Sequence, residues 1–218
     1  NLNMIKYVLS KGCRFLDFEI YMKDNVPIVA YSTNKQSLET FTSNAPAISF
    51  SGVCSTIITN AFSDTSPNPK DPLFIHLRIK TYDSSAYTQI AKIIKTTLGP
   101  KLYTQKKGVN DEAIPVNLDS QLTSMLEKII IIVDETSSPG YKNYATCVPK
   151  DVECYSLSNV VNMTSNSQAT RIYNENSLTF QPINPPDPDV YLFRIVFPNL
   201  GYFNNTTNSS SSYLIKNY

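Results

Sequence analysis

Residues 128–133 read Lys-Ile-Ile-Ile-Ile-Val, a run with no polar face. Successive side chains of a strand point to opposite sides, so such a run is stable only where both sides are covered. That is the condition of a parallel sheet rather than a half-solvated antiparallel one. A second run, Leu73-Phe74-Ile75-His76-Leu77-Arg78-Ile79, follows the Pro-rich turn 66–72. Between the two lies the clearest helical pattern, with Ser84 or Ser85 as cap and Gly99-Pro100 as stop. Its apolar positions are Tyr87, Ile90, Ala91, Ile93, Ile94 and Leu98. Strands alternating with helices predict an α/β chain built on a parallel sheet. Periodicity alone leaves an open doubly wound sheet and a closed barrel equally available.

The other segments fit that alternation. Met4, Ile5, Val8 and Leu9 predict a helix over 3–9, closed by Lys11-Gly12. Strands are expected over 13–21 and, after the Lys23-Asp24-Asn25 turn, over 27–31; 34–46 reads as polar loop. Ser49 or Ser51 can cap a helix carrying Val53, Ile57, Ile58 and Ala61. A short helix over 118–126 precedes the isoleucine run, and 135–149 is polar. Weak elements lie at 152–161 and 169–173, and Asn184-Pro185-Pro186-Asp187-Pro188 leads into a strand over 190–197. The Asn/Thr/Ser stretch 201–212 reads as a flexible loop. The 218 residues suit a single domain.

Charge and motifs narrow the function classes. A formal net charge of +1 with scattered Lys and Arg argues against nucleic acid and against a polybasic membrane patch. No apolar run approaches the roughly 18 residues of a transmembrane helix, and no signal peptide is visible. Neither a G-x-G-x-x-G nor a P-loop is present. Cys13, Cys54, Cys147 and Cys154 make no C-x-x-C pair, and with His76 as the sole histidine a zinc site is not expected. Cys13 and Cys54 read as buried thiols. Cys147 and Cys154 could bridge a loop in an oxidising compartment. The N-x-S/T sequons at Asn162, Asn204, Asn205 and Asn208 are as many as this composition gives by chance. In the 13–21 strand, Asp17 and Glu19 are two apart and therefore share a face.

The segment Lys11-Gly12-Cys13-Arg14-Phe15-Leu16-Asp17-Phe18-Glu19-Ile20-Tyr21, followed by Val26-Pro27-Ile28-Val29, resembles the X region of phosphatidylinositol-specific phospholipase C. There a "GCR" turn feeds a strand with two acidic residues, and a hairpin strand follows. The likeness runs on through residues 50–62 and Asp71-Pro72-Leu73-Phe74-Ile75-His76-Leu77 to residues 90–102. It continues in Leu126-Glu127-Lys128-Ile129-Ile130-Ile131. Leu192-Phe193-Arg194-Ile195-Val196-Phe197-Pro198-Asn199 resembles the "R-I-x-P" strand of the Y region. In its Asn, Ile, Lys and Tyr bias the chain is most similar to the phospholipase-C-like proteins of large nucleocytoplasmic DNA viruses.

The resemblance implies a (β/α)8 TIM-like barrel with its site at the C-terminal strand ends. It places the family's first strand, with an "S-H-N-T" histidine, before Asn1 and the closing strand after Tyr218. It also implies phosphodiester cleavage by two histidines, with calcium in the eukaryotic enzymes or an arginine in the bacterial ones offsetting charge. Asp17 and Glu19 fall on the family's acidic, metal-ligating pair. Tyr31 stands where a catalytic histidine is expected, and Arg78 where a glutamate ligand is expected. Ile132 and Asp134 replace lysines that hold substrate phosphates. Arg194 matches an arginine that grips an inositol phosphate, with Val196 in place of an aromatic. Arg78 is expected to form an ion pair with Asp17 and Glu19, His76 to be a hydrogen-bonded interior histidine, and Lys80 to be solvated.

These departures lead to the expectation of a barrel that has lost catalysis and acts as a structural or interaction domain, with a virion component as its concrete form. No cofactor is expected, and calcium only if the family site survives. Two rivals remain open. One is an active phosphodiesterase on phosphatidylinositol-type lipids; the other is a module binding inositol-phosphate headgroups through Arg194 and Arg78.

Overall fold

The computed structural model describes residues 1–30, 47–81, 83–104, 116, 120–135, 137, 140–147, 154–165, 170–174 and 193–197; at 145–147, 154, 170–174 and 193–197 it describes the backbone. The expected loop at 34–46, Tyr31 and the stretch 201–212 lie outside the described residues.

Helix α1 (Leu2–Ser10) starts where the Asn1 side chain accepts the Asn3 N–H at 3.0 Å. It ends at Gly12, whose φ of +84° a Cβ would strain. The chain then enters β1 (Phe15–Lys23) and returns along β2 (Val26–Val29). The pairing Lys23↔Val26 leaves Asp24 and Asn25 as a two-residue turn, both at positive φ, which matches the twist of a hairpin. A short β3 (Ile48–Ser49) pairs with β2 and leads directly into α2 (Phe50–Asn60). Of the two candidate caps it is Ser49 that accepts the Gly52 N–H, at 3.2 Å.

Strand β4 (Leu73–Ile79) has the expected bounds. Helix α3 (Ser85–Ile93) is not capped by a serine hydroxyl; Asp83 Oδ1 accepts the Ser85 N–H at 2.9 Å. Before Gly99-Pro100 the helix widens to a π turn over Ile94–Leu98 and then tightens over Gly99–Lys101. Of the expected 118–126 helix, 118–119 lie outside the described residues, and among the described ones Leu122–Met125 forms a single tight turn. Then come β5 (Ile129–Asp134), the antiparallel pair β6 (Ala145–Cys147) and β7 (Cys154–Ser156), and β8 (Met163–Ser165). Strands β9 (Thr170–Asn174) and β10 (Phe193–Phe197) form a separate parallel pair.

The main sheet has the order β3-β2-β1-β4-β5-β8, with β1, β4, β5 and β8 parallel and the hairpin antiparallel on one edge. This is the expected α/β architecture. Among the described residues the sheet is mixed and open, and no strand pairing closes it into a ring. Both faces are covered, as the isoleucine run requires, but by different means. On one face Leu16, Phe18, Ile20, Ile75, Leu77, Ile79, Ile131 and Val133 pack in one core with α1, α2 and α3. On the other, Ile130 and Ile132 meet Val116, Met125 and Met163, with Phe15, Phe74 and Tyr103 against them. Asn162, read from sequence only as a sequon, is buried. Its Oδ1 accepts the Ile131 N–H at 2.9 Å and its Nδ2 donates to the Tyr103 carbonyl at 3.1 Å.

Candidate functional site

Register decides which polar side chains meet. In the parallel β1–β4 ladder Asp17 stands beside His76 and Glu19 beside Arg78; His76 stands beside Ile132 on β5. Asp134 stands beside Ser165 at the β5–β8 ladder. Alternation puts all of these on the face that α2 and α3 do not cover. Phe15 and Phe74 begin that face, so it is apolar at the strands' N-terminal ends and charged at their C-terminal ends. Ligand sites of parallel α/β sheets lie at that end.

Arg78 ties the two acids together. Its Nε donates to Asp17 Oδ1 at 3.1 Å and its Nη2 to Asp17 Oδ2, while Nη1 donates to Glu19 Oε1 at 2.7 Å. Lys80 donates to the same Glu19 oxygen at 2.7 Å, and the Tyr21 hydroxyl to Glu19 Oε2 at 3.1 Å. The expected Arg78 ion pair is therefore present. The expectation of a solvated Lys80 is corrected: alternation carries it onto the Arg78 face, where Glu19 holds it.

His76 is fully buried, as expected of an interior histidine. Its Nδ1 lies 2.6 Å from Asp17 Oδ1 and its Nε2 lies 2.8 Å from Ser165 Oγ. The order Ser–His–Asp is that of a nucleophile relay. Ser165 has no exposed surface, however, so the chain of bonds holds the Asp17 carboxylate in place rather than presenting a hydroxyl. Burial alone would raise the Asp17 pKa; hydrogen bonds from His76 and Arg78 and the guanidinium charge outweigh it, and the pKa lies below its ordinary value. Arg78 moves the other way. Burial would lower its pKa, but its bonds to Asp17 and the charges of Asp17, Glu19 and Asp134 raise it.

The donor set does not fit a calcium ion. Such an ion takes six to eight oxygens. Asp17 and Glu19 are each bound by a fixed cation, and an incoming divalent ion would have to displace both Arg78 and Lys80. Among the described residues no group of three or more His, Cys, Asp or Glu side chains is arranged to hold a metal.

Of the other sequence candidates, Asp134 reaches the cluster through its charge on Arg78, and the Arg194 side chain lies outside what is described. Arg194 lies in β10 in register with Arg171, on a strand pair separate from the main sheet, and only its backbone is described. Ile132 and Asp134 are buried, Asp134 taking a hydroxyl bond from Ser137 at 3.0 Å. Cys54 is buried and its thiol pKa is pushed up to about 12, whereas Cys13 is only half-buried, a correction to the buried expectation. Ser165 was missed because a three-residue strand, Met163-Thr164-Ser165, leaves no periodic signal.

Residues 1–134 match the family model described as phosphatidylinositol-specific phospholipase C, X domain. That span holds Asp17, Glu19, His76, Arg78 and Lys80 but not Ser165. No curated protein matches the chain. Among solved structures, the crystal structure of L. pealei PLC21 is 15% identical with a TM-score of 0.62, and that of S. officinalis PLC21 is 17% identical with a TM-score of 0.64. Each match covers 98% of this chain and 29% of the other, so the likeness is one of fold and the chain spans under a third of those proteins. No helix of the described residues is long and apolar enough to cross a membrane.

Proposed function

The chain belongs to the phosphatidylinositol-specific phospholipase C X-domain family, and from that premise we propose that its acidic pair serves structure rather than metal-assisted catalysis. The observation that carries the reading is the Arg78 guanidinium bound to both Asp17 and Glu19, with Lys80 on Glu19. Arg78 and Lys80 already offset Asp17 and Glu19 in place, so a divalent ion would reach these carboxylates only by displacing a cation. The domain then works as an interaction module within a TIM-like barrel, its partner another protein. A virion setting for that partner rests on the sequence's likeness to viral phospholipase-C-like proteins.

A second reading draws on the same cluster. His76 with Asp17 on Nδ1 is a base candidate, and Arg78 is a fixed cation beside it, which together suit phosphodiester hydrolysis without calcium. The burial of His76 weighs against it, because a base must reach the proton it removes. Headgroup binding through Arg78 and Arg194 without turnover is the third. Calcium titration by calorimetry, with hydrolysis of phosphatidylinositol vesicles and binding to an inositol-phosphate resin, separates them. The expected result is no calcium heat at micromolar ion and no turnover. A micromolar calcium site lost in Asp17→Ala overturns the proposal. Turnover lost in Glu19→Gln promotes the hydrolase, and resin binding lost in Arg78→Met or Arg194→Ala promotes the headgroup module.

A further inference from the structure

The two cysteines nearest each other in sequence are placed directly opposite in register by the β6–β7 hairpin. The antiparallel register pairs Ala145 with Ser156, Thr146 with Tyr155, and Cys147 with Cys154. Directly opposed residues of an antiparallel pair share one face of the ribbon, with Cα atoms about 4.5 to 5.5 Å apart. A disulfide needs Cα atoms about 4.4 to 6.8 Å apart, a separation that direct cross-strand register provides. We infer that Cys147 and Cys154 are a reversible dithiol–disulfide pair that clasps this hairpin at the ladder pair next to its connecting segment. The inference does not depend on whether the domain is catalytic.

The hairpin's position gives the clasp something to hold. Tyr155, next to Cys154, lies under two cations, Lys92 of α3 and Lys95 of the π turn that continues it, with Nζ atoms 5.6 Å and 5.4 Å from its ring centroid. Tyr144, just before β6, stacks on Tyr87 of α3 at 5.3 Å between centroids. These contacts seat the hairpin on α3, and β7 leads into the segment that delivers Asn162 and Ser165 to the sheet. A bridge between 147 and 154 closes a short ring and fixes the two strands in the register those contacts use.

Among the four thiols the pair is also the one chemistry selects. Cys54 is fully buried with its thiol held protonated, and a thiol attacks only as thiolate. The Cys13 thiol donates to the Phe15 carbonyl at 3.1 Å, and no described contact brings it to Cys54. With glutathione disulfide as oxidant, one thiolate of the pair attacks a glutathione sulfur and expels a glutathione thiolate. The second cysteine's thiolate then attacks the protein sulfur of that mixed disulfide and expels the other. The protein loses two electrons and two protons, and two reduced glutathiones leave.

The test is to incubate the whole chain in glutathione buffers of graded redox poise, quench in acid, alkylate under denaturing conditions and map peptides without reduction. The expected product links Cys147 to Cys154, with Cys13 and Cys54 alkylated. The thermal midpoint of the oxidised protein should rise by about 5 °C over the reduced one. That rise should vanish in Cys147→Ser and in Cys154→Ser, made separately. Glutathione adducts at Cys147 and Cys154 in place of the link, or a link from either to Cys13 or Cys54, would overturn the inference. A correct link with no rise in midpoint would overturn the clasp.

Discussion

The two faces of the β1–β4–β5 sheet are made from alternate residues of the same strands, and they solve the problem of burial in opposite ways. On the helix side, Leu16, Phe18 and Ile20 meet Ile75, Leu77 and Ile79, and any apolar side chain of similar volume would do. On the other side, Asp17 and Glu19 meet His76, Arg78 and Lys80, and each group is satisfied by particular named neighbours. Stability on the first face is a sum of areas. On the second it is a network in which removing one member strands the others.

Leu77 and Arg78 are adjacent in the chain and point to opposite faces, so they test that contrast directly. Leu77→Ala should cost about 3 kcal/mol, a lost side chain plus a cavity, and Leu77→Met under about 1.5. Arg78→Met leaves two carboxylates without their shared partner. A fully buried half-pair costs about 3 to 5 kcal/mol, but a quarter of the Arg78 side chain is exposed, so about 2 kcal/mol is expected. Adding Asp17→Asn and Glu19→Gln to Arg78→Met should recover part of that loss in urea unfolding. If the triple variant instead shows additivity within about 0.5 kcal/mol, the network description fails.

Acid should affect one face only. Because the folded Asp17 carboxyl titrates below its ordinary value, its contribution is complete above the unfolded pKa near 3.9 and is lost as pH falls through the folded value. Urea midpoints followed from pH 6 down to pH 2.5 should drop more steeply for the natural protein than for Asp17→Asn below about pH 4. Parallel curves would mean that Asp17 does not carry the acid sensitivity.

Much of this was legible in the chain, and the reason differs by face. The helix-side core follows from hydrophobic periodicity, so β4 could be bounded from sequence alone. Asp17 and Glu19 share a face by alternation, and Arg78 was tied to them through the family resemblance. What sequence could not supply is register between distant strands. Nothing in Met163-Thr164-Ser165 says that a serine 89 positions away will meet His76 Nε2. Lys80 was misjudged, and the packing role of Asn162 went unread, for the same reason, since each side chain's role is set by what lies across the sheet. Ser165→Ala checks the most distant of these links. Removing a buried partner of His76 should cost about 1 to 2 kcal/mol, and a neutral result would show that Asp17 is held without it.

The smallest effect should come from an ion pair with similar geometry but an exposed carboxylate. Lys101 Nζ lies 3.0 Å from Glu127 Oε2, close to the 2.7 Å of the Lys80–Glu19 pair. Lys101 holds the Glu127 pKa below its ordinary value, yet Glu127 is exposed. Water's high dielectric weakens the attraction of such an exposed pair, and ordering two side chains costs entropy, so its two ends gain little by meeting. Glu127→Gln keeps the side chain's length at a position whose backbone φ is +57° and removes only the charge. Its urea midpoint at physiological salt should equal that of the natural protein within error. Glu19→Gln, which removes the same charge from a pair of nearly the same length, should lower it measurably. Equal responses from the two variants would mean that distance rather than burial sets the worth of these pairs, and the contrast between buried network and exposed pair would be lost.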